Sequence, residues 1–101
     1  MIPGSTPTHV FTIPFDTVHL KGIRIIYSQN DKILLIKTME DCTLEDQKIL
    51  LQLTQEETYL FERGVTAEVQ LRLLTSDNTC LTSVVKKFGV AKHLEDEVFT
   101  V

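Results

Sequence analysis

Hydrophobic positions alternate with polar ones most clearly between residues 65 and 75. There Ala67, Val69, Leu71 and Leu73 are each separated by one polar residue. Side chains two residues apart project from the same face of a β-strand. The pattern therefore predicts a strand with one buried apolar face and one polar face.

Turn-forming residues separate pairs of predicted strands at three places along the chain. Each of these turns contains Asn or Asp, whose short side chains bond to the local backbone and tolerate positive φ. Three hairpins are predicted: Gly22–Ser28 and Lys32–Thr38 around Gln29 to Asp31, a pair around Glu45 to Gln47 that continues into Lys48–Leu53, and residues 65–75 with Thr79–Lys87 around Ser76 to Asn78.

Two further segments complete the predicted architecture. His9–Ile13 is predicted to be a strand that Pro14 ends, since proline has no amide hydrogen to donate to a ladder. Thr54 and Glu57 have the spacing of a capping box, which predicts one short helical turn near residues 54–62 that carries the chain between sheets. The predicted fold class is mainly β, an immunoglobulin-like antiparallel β-sandwich of about six or seven strands.

The length of 101 residues is typical of one domain with one core. Residues 1–7 are predicted to form a flexible N-terminal arm, and residues 8–101 a single β-sandwich domain. The segment Lys92–Val101 is compatible with either a final edge strand or a loose tail.

Composition and charge exclude several classes of function. A formal net charge of −4 disfavours nucleic-acid binding, which depends on clustered Lys and Arg. No apolar run approaches the roughly 20 residues of a membrane-spanning helix, and the N-terminus lacks the pattern of a secretory signal. We therefore expect a soluble protein, with Cys42 and Cys80 reduced.

Motifs for catalysis, cofactor binding or metal binding are not found in the sequence. The histidines His9, His19 and His93 have neither the spacing of a local metal clamp nor cysteine partners. No serine lies on a glycine-flanked elbow, and no glycine-rich loop could hold a phosphate. We expect neither an enzyme nor a cofactor.

Two hydrophobic runs are apolar on both faces of their predicted strands. These are Ile33 to Ile36 and Ile49 to Leu51, in which every side chain is Ile or Leu. Alternation places Leu34, Ile36 and Leu50 on the face opposite the core-facing residues of the same runs. These three residues are the candidate protein interface, because exposed apolar strands aggregate unless another chain pairs with them or covers them.

Charged residues cluster near the end of the sequence. Lys86, Lys87 and Lys92 are followed by the acidic stretch Glu95 to Glu97. Such clusters are typical of solvated strand ends, and they are also compatible with an electrostatic docking surface.

The sequence resembles small proteins encoded in prophage regions of Firmicutes. The resemblance rests on residues 49–75, with the strings LTQEET and VQLRLLT, on the opening THVFTIPFDT, and on DCTLE in the middle. It implies a β-sandwich module of a phage structural or assembly set, located in the virion or the host cytoplasm, and it carries no catalytic motif. Glycine is expected at the hairpin turns of this group, but Glu45 to Gln47 and Asp77-Asn78 contain none, which indicates turns that are either looser or of another type.

We therefore expect a non-enzymatic structural or assembly module that acts through protein–protein contacts. Its expected partners are other copies of itself, as a homo-oligomer, or other virion proteins. A carbohydrate- or ligand-binding sandwich of a host-attachment apparatus is the alternative, although the chain has no Trp and only two Tyr to serve as aromatic platforms.

Overall fold

The computed structural model describes residues 1–83 and 85–91, and these residues form eight β-strands and one short α-helix. In chain order the elements are β1 (Thr8–Thr12), β2 (Leu20–Gln29), β3 (Lys32–Thr38), β4 (Thr43–Glu45), β5 (Lys48–Gln52), α1 (Gln55–Thr58), β6 (Ala67–Thr75), β7 (Cys80–Thr82) and β8 (Lys86–Phe88). Two 3-10 turns, Thr17–His19 and Met39–Asp41, precede β2 and β4.

The strands form two antiparallel sheets. The small sheet has the order β1-β5-β4, and the large sheet has the order β3-β2-β6-β7, with β8 also paired to β6. The predicted mainly β sandwich with a short helical turn is thus confirmed. α1 lies in the connection from β5 to β6, so the chain changes sheets at the predicted capping box.

All three predicted hairpins form, and non-glycine residues supply their positive φ angles. Asn30 (φ 50°) and Asp31 (φ 61°) form the two-residue turn between β2 and β3. Asp46 (φ 48°) and Asn78 (φ 68°) take the left-handed position in the other two turns. Asn and Asp tolerate this region better than other side chains, which explains how the turns close without glycine.

The predicted strand Thr79–Lys87 is divided into two short strands on one edge of β6. β7 pairs with Arg72 to Leu74, and β8 pairs with Ala67 to Val69. Between them the Leu71 amide donates to the Ser83 hydroxyl (2.9 Å), while the Ser83 amide donates to the Leu71 carbonyl (2.8 Å). The Ser83 side chain thus takes the place of a backbone carbonyl in the ladder.

The core lies between the two sheets. On the predicted inner faces, Ile49, Leu51 and Leu53 are inaccessible to solvent, and Ala67, Leu71 and Leu73 are buried. Val69 is partly buried and packs against the same core. The buried apolar residues are Ile13, Leu20, Ile23, Ile25, Tyr27, Ile49, Leu51, Leu53, Phe61, Ala67, Leu71, Leu73 and Val90. Their burial provides the main stabilisation of the sandwich.

The capping box of α1 forms as predicted. The Glu57 amide donates to the Thr54 hydroxyl (3.2 Å), and the Thr54 amide donates to the Glu57 carboxylate (2.9 Å). The α-helix ends at Thr58, and hydrogen bonds between residues three apart continue the turn to Phe61, which is buried. Gly64 (φ 73°) then turns the chain towards β6.

Residues 1–7 lie against the domain. The Gly4 amide donates to the Thr58 hydroxyl (2.9 Å), and the Leu53 amide donates to the Pro7 carbonyl (3.0 Å). Met1 is bonded at both backbone ends, its amino group to the Gly89 carbonyl and its carbonyl to the Ala91 amide. These bonds join the predicted arm to α1 and to the segment after β8.

Candidate protein-interaction face

The structure places the three predicted interface residues in three different environments. Ile36 lies on the outer face of the large sheet and is 41% exposed. Leu50 lies on the outer face of the small sheet, between the buried Ile49 and Leu51. Leu34 packs against the core. The three residues therefore do not form one surface.

A β-bulge in β3 explains why Leu34 and Ile36 differ. Tyr27 pairs with Leu35, whereas the next residue of β2, Ser28, pairs with Ile33, so Leu34 is the extra residue. Strict alternation assigned Ile33 to the core and Leu34 to the opposite face. The bulge reverses this assignment: Ile33 is 58% exposed and lies opposite Ser28, while Leu34 is partly buried.

The outer face of the large sheet carries an exposed apolar cluster, which we call the isoleucine patch. Ile36 and Ile26 lie directly opposite each other on neighbouring strands. Ile33 occupies the next outward position of β3, opposite Ser28. Val85, 46% exposed, lines the same shallow depression of about 270 Å³ as Ile26 and Ile33. Directly opposite side chains share a sheet face, so the isoleucine patch is continuous across β3 and β2. Val85 adds a fourth apolar residue on the far side of the depression, beyond Glu68 and Gln70 of β6.

Two arginines lie next to the isoleucine patch, and we call them the arginine pair. Arg24 of β2 and Arg72 of β6 are direct cross-strand partners, and both are exposed. Like charges in this position repel each other. Among the described residues neither guanidinium has a carboxylate within salt-bridge distance. The arginine pair is therefore an unneutralised double positive charge on a sheet face.

The outer face of the small sheet is less apolar. Leu50 lies opposite Val10 of β1 on one side and Thr43 of β4 on the other. Val10 is 53% exposed, and the remaining outward positions of these strands are polar. This face thus offers one apolar pair, compared with the four residues of the isoleucine patch.

A histidine–tyrosine hydrogen bond joins the two sheets inside the sandwich. His9 Nδ1 of β1 lies 2.6 Å from the Tyr27 hydroxyl of β2, and both rings pack against Phe88. Burial, followed by the nearby N-terminal charge, lowers the pKa of His9, while burial raises the pKa of Tyr27. Both effects favour the neutral forms, so the contact is suited to holding the sheets together.

An open depression of about 410 Å³ lies at the end of the sandwich next to the β6–β7 turn. Phe15, His19 and Leu81 line it together with Asp77. The Asp77 carboxylate accepts hydrogen bonds from the Thr75 hydroxyl and the Thr79 amide, and these bonds lower its pKa. These hydrogen bonds hold the β6–β7 turn in place.

Groups suited to metal or redox chemistry are not brought together in the described part of the chain. Residues 1–83 and 85–91 contain no cluster of three or more His, Cys, Asp or Glu side chains that could hold a metal ion. Cys42 and Cys80 are both free, and burial raises the pKa of Cys42. Within these residues no helix has the length and apolarity needed to cross a membrane.

Comparison with protein-family models, with curated proteins and with solved structures finds no match to this chain. The isoleucine patch and the arginine pair are therefore interpreted from their own geometry.

Proposed function

We propose that this protein is a non-enzymatic assembly module that binds other protein chains through the outer face of its large sheet. The observation that carries the proposal is the isoleucine patch, in which Ile33 and Ile36 are exposed beside Ile26. Contiguous apolar surface of this kind is costly in water and is typical of protein–protein contacts.

The face, and not the adjoining edge, is the favoured contact. β3 is the edge strand here, and in the described residues it pairs only with β2. Its bulge at Leu34 interrupts the regular ladder, and Lys32 and Lys37 lie near its two ends. Bulges and lysines are devices that prevent strands from adding to an edge. The apolar side chains beside that edge remain free to pack against another surface.

A place in a phage particle follows from the resemblance to prophage-encoded proteins. Such a particle contains many copies of its components, so a self-associating module fits the proposed role. We propose homo-oligomerisation, or binding to other virion proteins, as the form that the contact takes. The genes that flank the coding sequence test this part, since portal, tail or lysis genes support it and a metabolic operon contradicts it.

Sedimentation velocity over a range of protein concentrations tests the proposed contact. The wild-type chain should form species heavier than a monomer. Ile36→Glu should lower the fraction of protein in these species at least tenfold while leaving the circular dichroism spectrum unchanged. Val10→Glu is the matched control, because it places the same charge on the outer face of the small sheet. A wild-type chain that remains monomeric, or equal effects of the two variants, would contradict self-association through this face.

A glutamate at position 34 should have a different effect from a glutamate at position 36. Because Leu34 packs against the core, Leu34→Glu should lower the free energy of unfolding and not merely dissociate an oligomer. This variant separates loss of folding from loss of contact in the same measurement.

A further inference from the structure

The arginine pair is the feature of the proposed contact face that most restricts the partner. Arg24 and Arg72 lie directly opposite each other, without a carboxylate partner in the described residues. Guanidinium groups bind carboxylates through paired, charge-assisted hydrogen bonds. A partner that brings carboxylates to this position would relieve the repulsion between the two arginines and gain those bonds.

The isoleucine patch sets the second requirement for the partner. Ile26 follows Arg24 by two residues on β2, so an arginine and an isoleucine project from the same face about 7 Å apart. The partner should therefore carry an acidic residue and a large apolar residue at the spacing of alternate positions in an extended segment.

Residues 95–101 of this chain have that composition. The sequence EDEVFTV places three acidic residues directly before Val98 and Phe99. In an extended segment Glu97 and Phe99 are alternate residues, which matches the spacing of Arg24 and Ile26. We propose that the acidic segment Glu95 to Val101 of a second copy of this chain docks on the arginine pair and the isoleucine patch.

Distances along the chain favour a second copy over the same one. Phe88 pairs with Ala67 at one end of β6, and Arg72 lies five residues further along that strand, about 17 Å away. The Gly64 amide bonds to the Val90 carbonyl, so the chain after β8 continues away from Arg72. Glu97, the residue matched to Arg24, lies six residues after Ala91 and could cover at most about 22 Å when fully extended. In the same copy nearly all of that length would be needed to double back towards Arg24. The chain would then have to reverse again, because the matched segment runs from Arg24 towards Ile26, the direction in which β8 already runs. A second copy has no such restriction.

This inference rests on the proposed function, since it uses the same sheet face, and charge reversal in the full chain tests it. One variant carries Arg24→Glu with Arg72→Glu, and the other carries Glu95→Lys, Asp96→Lys and Glu97→Lys. Sedimentation equilibrium should show self-association weakened at least tenfold in each variant alone. An equimolar mixture should regain association to within about threefold of the wild type. In a mixed pair the reversed face of one variant meets the reversed segment of the other, and the native face meets the native segment.

Lys21→Glu with Lys48→Glu is the control, since it reverses two exposed charges that lie outside the arginine pair. The inference is overturned if either reversed variant associates like the wild type, or if the mixture stays monomeric. If the charge variants have no effect while Ile36→Glu still dissociates the wild-type oligomer, the acidic partner segment is wrong and the proposed contact face stands. If the wild type does not associate, both fail.

Discussion

The side chain of Gln29 is hydrogen-bonded to both backbone polar groups of Glu62. Its amide nitrogen donates to the Glu62 carbonyl (3.0 Å), and its amide oxygen accepts from the Glu62 amide (2.6 Å). The same nitrogen also donates to the Val65 carbonyl (3.0 Å). Gln29 is only 4% exposed. One buried side chain at the end of β2 therefore holds the connection between α1 and β6.

Gln29→Ala should lower the free energy of unfolding by about 1–3 kcal/mol, because it leaves buried backbone groups of that connection without partners. Urea denaturation measures the change. Gln47→Ala, at an exposed turn position, should change stability by less than about 0.5 kcal/mol. Equal effects of the two substitutions would show that the Gln29 bonds do not stabilise the fold.

Gly4→Ala tests whether residues 1–7 are packed or free. A Cβ atom at Gly4 would lie 2.5 Å from the Tyr59 hydroxyl oxygen, and the φ of 85° is unfavourable for alanine. We expect a loss of at least about 1 kcal/mol in the free energy of unfolding. Gly89→Ala is the matched control, since its Cβ would meet no atom within 4 Å. If Gly4→Ala is as neutral as the control, the arm is flexible, as the sequence predicted.

The capping box makes a separate contribution to stability. Thr54→Ala removes the hydroxyl that accepts from the Glu57 amide and should cost about 1 kcal/mol. Thermal unfolding compared with Thr66→Ala, another exposed threonine, isolates the effect of the cap. A similar melting temperature for both variants would show that the capping box does not stabilise the fold.

His9 should make stability fall in mild acid. Because burial lowers its pKa in the folded state, the unfolded chain binds more protons as the pH drops below about 6.5. The free energy of unfolding should therefore decrease between pH 6.5 and the lowered pKa, and level off below it with respect to this group. Urea denaturation at a series of pH values follows the change.

His9→Gln is expected to flatten that part of the pH profile, and a profile that this substitution leaves unchanged would contradict the role of the His9–Tyr27 contact. Glu57 acts at lower pH. Although partial burial raises its pKa, its bonds to Lys37 and Thr54 lower it overall, so its contribution is present above about pH 4.5 and is lost in stronger acid.

Much of the fold follows from local patterns in the sequence. Alternation over residues 65–75 identified β6, Asn30-Asp31 identified a hairpin turn, and Thr54 with Glu57 identified the start of α1. In each case the signal lies within a few residues and has one physical cause. The two-sided hydrophobic runs also pointed to surplus apolar surface, and Ile36 is exposed on the large sheet as alternation suggested.

The proposed contact face could not be predicted from the sequence, because it depends on the register of the strands. A one-residue bulge moves Leu34 inward and Ile33 outward, and no nearby glycine or proline signals it. The pairing of Arg24 with Arg72 joins strands that are 48 positions apart (72 − 24). Gln29 was assigned to a turn, and its inward side chain is apparent only once the α1–β6 connection is placed against it.

NMR of the 101-residue chain with labelled isoleucine methyl groups tests the central claim most directly, in a dilution series at constant pH and salt. The methyl signals of Ile26, Ile33 and Ile36 should shift or broaden with concentration, while those of the buried Ile25 and Ile49 stay constant. Concentration-independent spectra, or changes confined to residues outside the isoleucine patch, would contradict the account of this face as the protein's contact surface.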